Sequence, residues 1–288
     1  LRLERLVRTV KRLDVHMTHR IIRTWALVLA LVLSMTAMGE AAPDQVARAR
    51  LLYNQRQYDA AIAVAREALQ RSPSAPAAAL ILARAHLERS RRATDATDLP
   101  AARNALTNID ASRIQPADRT ELIVAWAELF FLDGKPDVAA ELFEAALARS
   151  DTSQAVARDR MLDWWAQSLD RMAMSQTGES RVRVHTRILS RMEREMERVP
   201  DSAAVIYWLA AAARGAGDLD RAWQAARAGW LRSKVSWGGG EQVRVDLDRL
   251  VTNAIIPERA GLQPAAGDGR RISAEEMLAE WDTLKRLW

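Results

Sequence analysis

Hydrophobic positions along Thr120–Ser150 recur at helical spacing. In TELIVAWAELFFLDGKPDVAAELFEAALARS, Ile123, Trp126, Ala127, Phe130 and Phe131 share one face of a helix. Asp133, Gly134 and Lys135 interrupt the run, and Gly134 offers the positive φ that ends a helix in a tight turn. Pro136 opens a second helix, at a place where its missing N–H would be unpaired anyway. Ala139, Ala140, Phe143, Ala146 and Leu147 form the buried stripe of that helix. The alanines let two helices approach closely, and the large side chains fill the space beside them. One hairpin of this size cannot bury both its faces, so the pattern requires neighbours of similar build.

Such neighbours flank it. Tyr58, Ala61, Ile62, Ala65, Ala68 and Leu69 make another second-helix stripe, which closes at Pro73. The order of small, large and proline positions in YDAAIAVAREALQRSP resembles the tetratricopeptide repeat family, whose unit of about 34 residues pairs two helices. The central segment matches the same pattern through Trp126, Ala127, Phe130, Gly134, Ala139, Phe143 and Ala146. In Ala77–Asp110, Leu82, Ala83 and His86 take first-helix places, and Ala102, Leu106 and Ile109 second-helix places, with an insertion around Arg91–Thr97. In Ala203–Leu231 the first helix carries Ile206, Leu209, Ala210 and Ala213, the turn Gly217 and Asp218, and the second helix Ala222 and Ala226. Gln154–Pro200 is degenerate, with longer helices expected over Ala155–Met174 and Ser180–Arg198 and a stripe of Ile188, Met192 and Met196. The resemblance implies an all-α superhelix, a solenoid of antiparallel helix pairs over residues 43–232, closed by C-terminal capping helices.

Beyond the repeats, Trp230, Trp237 and Gly238–Gly240 mark a break. Glu241–Ala254 predicts a helix with Val243, Leu247, Leu250 and Val251 on one face. It would cap the solenoid within residues 233–257, because the end of a repeat array needs a lid with a polar outside. Pro257 is expected to stop it, and residues 258–272 read as a linker rich in Gly, Pro and Ala. A last helix spans residues 273–288, opened by a Ser273/Glu276 capping box. Its stripe of Met277, Trp281, Leu284 and Trp288 either docks on the array, the expected arrangement, or is presented to another chain.

Residues 1–42 read as a leader. Arg20 and Arg23 precede the apolar stretch Thr24–Gly39, which is short for a membrane span of about 20 residues. It fits a secretory signal peptide starting at Met17, with small residues placed for cleavage before Glu40 or Ala42. A periplasmic or secreted bacterial protein is expected; the alternative is an inner-membrane anchor formed by residues 24–39.

Composition narrows the chemistry. Hydrophobic residues make up 49% of the 288 and charged residues 27%, as in a folded chain. The net charge of +5 comes from the leader: Leu1–Arg23 carries seven cationic and two acidic side chains, and the body after Ala42 is left at +1. With no basic stripe interleaved with aromatics, no nucleic-acid partner is expected. Cysteine is absent, which removes disulfides, thiol nucleophiles, thiolate zinc sites and lipoprotein anchoring. His16, His19, His86 and His185 lack ligand partners at helical spacing, so no metal site is expected. No phosphate loop, dinucleotide turn or G-x-S-x-G motif is present, and no catalytic residues and no cofactors are expected.

Adjacent Trp164 and Trp165 point about 100° apart on a helix. Either both fill core, or one of them, Trp165, lines a groove as an aromatic floor. The resemblance implies that the groove is lined by first-helix positions, which in this chain are Arg50, Asn54, Arg84, Glu88, Glu128 and Arg214. Their mixed signs do not reproduce the carboxylate-gripping set of the family. The expected function is a non-catalytic scaffold or adaptor that binds a protein or peptide partner in the cell envelope, touching the membrane only through an uncleaved leader. The alternatives are a membrane-tethered component of an envelope assembly and an accessory subunit of an envelope enzyme.

Overall fold

The computed structural model describes residues 44–73, 75–92, 95–149, 155–236, 240–262 and 272–288. The leader over 1–42, Trp237 and most of the expected linker lie outside these residues. The described residues are helical, with no strand among them.

Five helix pairs follow one another: α1 (Gln45–Asn54) with α2 (Tyr58–Arg71), α3 (Pro76–Arg92) with α4 (Asp98–Thr107), α5 (Arg119–Leu132) with α6 (Pro136–Arg149), α7 (Ala155–Met174) with α8 (Gly178–Arg198), and α9 (Ala203–Gly215) with α10 (Leu219–Arg232). Each helix packs on the next, and the first helices also pack on one another in the row α1, α3, α5, α7, α9. That double adjacency makes a solenoid: every unit leans on its neighbours and none closes a core alone.

Sequence register explains the packing. Ala49, Ala127 and Ala210 hold the same place in α1, α5 and α9, and Ala61, Ala139 and Ala222 the same place in α2, α6 and α10; all six are fully buried. A methyl group there lets the paired helices approach closely. One turn later Ala65, Phe143 and Ala226 are buried in the same seam. Neighbouring positions face opposite neighbours. On α3, Ile81 joins the apolar cluster with Ala49, Ala61 and Ile62, whereas Leu80 joins the cluster with Leu106, Ala125 and Leu129.

The turns repeat too. Arg56, Gly134 and Gly217 all adopt positive φ, at 61°, 75° and 85°. They stand at the same distance before the second helix, and each reverses the chain in one residue.

Beyond α10 the structure departs from one expectation. The capping helix α11 (Gly240–Leu250) does not stop at Pro257. It passes through a π-helical turn at Val251–Ile255 into α12 (Ile256–Leu262). The Ile256 N–H reaches back to the Val251 carbonyl, five residues earlier. The wider turn takes up the proline ring, which in a regular helix would strike the carbonyl four residues before it. Residues 259–262, expected as linker, are therefore helical.

The last helix, α13 (Ala274–Leu287), opens with the Ser273/Glu276 capping box. It docks on the array: Met277 and Trp281 are fully buried. Trp281 meets Trp230 edge to face at 5.4 Å between ring centroids and lies 6.0 Å from Trp223. Its indole Nε1–H donates to Asp248 at 2.8 Å, and the Lys285 ammonium reaches the same carboxylate at 2.7 Å.

Candidate functional site in the inner row of helices

The first helices α1, α3, α5 and α7 enclose a cavity of about 300 Å³. Tyr53 and Asn54 enter from α1, Arg84 from α3, Glu121, Val124 and Glu128 from α5, and Arg160, Met161 and Trp164 from α7. Phe143 of α6 closes the base. On α5 the residues 121, 124 and 128, and on α7 the residues 157, 160, 161 and 164, follow helical spacing, so one stripe of each helix faces the space.

Charge in the cavity is nearly balanced. Arg84 Nη1 lies 3.0 Å from Glu121, and Arg50 bridges Glu121 at 3.4 Å and Asp118 at 3.0 Å. The Arg84 guanidinium also sits 4.7 Å over the Tyr53 ring. Glu88 stands loosely between Arg91 at 3.7 Å and Arg160 at 3.9 Å. Arg91 lies 5.3 Å over the Trp164 ring, which stacks on Phe143 and meets Phe131 edge-on.

Glu128 is the unusual member. It is 3% exposed, and burial raises its pKa against the attraction of Arg84. Burial likewise pushes the Tyr53 hydroxyl well above its ordinary value. Low dielectric surroundings disfavour the charged form of both groups.

Of the groove residues expected from the sequence, Asn54, Arg84 and Glu128 line this cavity. Arg50 and Glu88 stand beside it, through their ion pairs with Glu121 and Arg160. Arg214 is elsewhere: it pairs with Glu258 at 3.0 Å and so ties α9 to α12. Trp165 is elsewhere too. It is 1% exposed, its Nε1–H donates to Glu144 at 3.0 Å, and Arg187 and Arg191 lie under 6 Å from its ring. Trp164 takes the place at the cavity, although it is only 6% exposed. Both tryptophans thus belong to the core, and one edge of the first doubles as cavity wall.

Tyr53, Glu121 and Arg160 were not singled out by sequence, and of the tryptophan pair Trp165, not Trp164, was the candidate for the groove. The 121/124/128 spacing on α5 was a usable signal, whereas the rotation of α7 that selects Trp164 over Trp165 was not.

Two histidines carry structural networks. His86 Nδ1 lies 2.6 Å from Asp98, which also takes Arg89 at 2.6 Å. His185 bridges Asp170 at 3.1 Å and the Arg181 carbonyl at 3.0 Å. Among the described residues no cluster of three or more His, Asp or Glu side chains is arranged to hold a metal ion.

Residues 43–85 match the tetratricopeptide repeat family. No curated protein matches the chain. The described part of the matched segment spans α1, the left-handed turn at Arg56, α2 and the first part of α3. The same left-handed turn recurs after it at Gly134 and Gly217, each between the two helices of a pair, so the matched tetratricopeptide repeat is followed by helix pairs of like geometry.

Proposed function

We propose that the chain is a non-catalytic scaffold that holds a protein partner along its inner row of helices, in the bacterial cell envelope. The observation that carries the reading is the cavity lined by Tyr53, Arg84, Glu128 and Trp164. Side chains from four successive inner helices converge on it, so a partner seated there touches several repeats at once. A surface held in place by stacked helices loses little entropy when it captures a ligand. Export is supported by Arg20 and Arg23 ahead of the apolar stretch Thr24–Gly39.

Capture of partners by the full chain from envelope extracts tests the reading, with Arg160→Gln as the variant. Arg160 stands at the cavity rim with its side chain half exposed and only a loose 3.9 Å pair to Glu88, so removing its charge leaves the core intact. A specific partner should be lost from the variant while its melting temperature holds. Equal recovery of every partner by both proteins would overturn the reading. Fractionation and the mass of the mature chain separate a free periplasmic protein from one tethered by residues 24–39.

A further inference from the structure

Two residues that line the cavity hold a buried polar atom without a partner, and a carboxyl group lines the same space. The Tyr53 hydroxyl and Arg84 Nε find no hydrogen-bond partner among the described residues. The Glu128 carboxyl lines the same cavity at 3% exposure, and the Arg84 charge is the main attraction acting on it. Leaving a buried polar atom unpaired costs about 1–3 kcal/mol. The three come from consecutive inner helices and lie within electrostatic reach of one another.

Their chemistry limits what can satisfy them. Arg84 Nε only donates, the Tyr53 hydroxyl donates or accepts, and a carboxylate at Glu128 accepts. A cationic side chain would suit Glu128 and meet the Arg84 guanidinium. An anionic one would suit Arg84 and Tyr53 and meet Glu88 and Glu128. A neutral carboxamide suits all three, its oxygen accepting from Arg84 and Tyr53 and its NH2 donating to Glu128. Val124, Phe143 and Trp164 offer apolar walls for the methylenes that carry it, and about 300 Å³ accommodates such a side chain.

We propose that this cavity takes the side-chain carboxamide of an Asn or Gln residue in the partner. The inference rests on the reading of the cavity as the partner-binding surface. It also makes the site selective by polarity. A carboxylate or ammonium of the same length leaves at least one buried group unpaired, and a site built to hydrogen-bond a ligand rejects analogues that cannot reciprocate.

The test uses the full chain and four blocked pentapeptides Ala-Ala-X-Ala-Ala, acetylated and N-methylamidated, with X = Gln, Glu, Lys or Met. Binding is followed by NMR on the Arg84 Nε–H and Trp164 indole signals. The Gln peptide should shift both signals and bind about tenfold or more tightly than the other three. Tyr53→Phe keeps the ring and removes only the hydroxyl. It should weaken the Gln peptide about three- to tenfold and leave the Met peptide unchanged. Equal or tighter binding of the Glu or Lys peptide overturns the carboxamide assignment. So does equal binding of all four, which would mean that the backbone alone is recognised. If no peptide moves either signal the assignment also fails, while the scaffold reading stands or falls on the capture experiment.

Discussion

Arg56 occupies the left-handed turn position that Gly134 occupies in the central hairpin, with φ of 61° against 75°. A side chain with a Cβ is strained there by about 1–2 kcal/mol, and glycine is not. Arg56 is exposed, so little packing is lost with its side chain. We expect Arg56→Gly to stabilise the chain by about 0.5–1 kcal/mol, once the greater freedom of glycine in the unfolded state is subtracted. Gly134→Ala should destabilise by about 1–2 kcal/mol, since nothing crowds a Cβ at that position and the backbone conformation alone resists it. Urea unfolding of both variants measures the pair; a loss of stability in Arg56→Gly would show that its side chain outweighs the strain.

Gly215 and His185 make a second close relationship. A Cβ on residue 215 would overlap the His185 ring. The ring cannot simply swing aside, because Asp170 and the Arg181 carbonyl hold its two nitrogens. Gly215→Ala should therefore cost about 1–3 kcal/mol through overpacking. In a His185→Ala background the same change should cost much less. A double-mutant cycle reads the coupling, and additive effects would remove the steric explanation.

Glu128 should make stability depend on pH in an unusual direction. Burial raises its folded-state pKa, so between the ordinary carboxyl value and that raised value the folded chain holds a proton that the unfolded chain has lost. Its contribution therefore falls as pH rises through this window. Glu128→Gln should stabilise by about 1–3 kcal/mol above the window and flatten that part of the profile. Melting temperatures of the two proteins across the acid-to-neutral range check this; a wild-type curve that rises as steeply as the variant's would contradict it.

Asp98 and His86 act in the opposite direction. Burial alone would raise the Asp98 pKa, but hydrogen bonds from Arg89 and His86 outweigh it and hold the group below the usual carboxylate value. Its stabilising contribution is present above the unfolded carboxyl pKa and lost as pH falls through the folded one. Burial lowers the His86 pKa more than its bond to Asp98 raises it, so stability also drops as pH falls below the ordinary histidine value. Asp98→Ala should cost about 3–5 kcal/mol at neutral pH, because His86 and Arg89 lose the carboxylate between them. Chemical denaturation at neutral and acid pH should show the cost shrinking in acid.

Much of the array was legible in the chain because its signals are local. The stripe of Ala61, Ile62, Ala65 and Ala68, the turn at Gly134, the span of α7 and the Ser273/Glu276 capping box all depend on residues within a turn or two of each other. Where a local rule met a tertiary demand, it failed. Pro257 normally ends a helix, yet the buried Val251, Ile255 and Ile256 keep the helix in place through a π turn. The candidate site was half visible. The family resemblance pointed to Asn54, Arg84 and Glu128, but it could not tell Trp164 from Trp165, nor send Arg214 to Glu258.

Sequence by itself determined the helices, their order and their turns, since a 3.6-residue period and a left-handed turn residue act over a few bonds. Tertiary structure alone decided the rotation of α7 against α6 and α8, the docking of Trp281 on Trp223 and Trp230, and the meeting of Tyr53, Arg84 and Glu128 around one cavity. Burial belongs to pairs of surfaces, and no single stretch of chain carries the surface it will be pressed against.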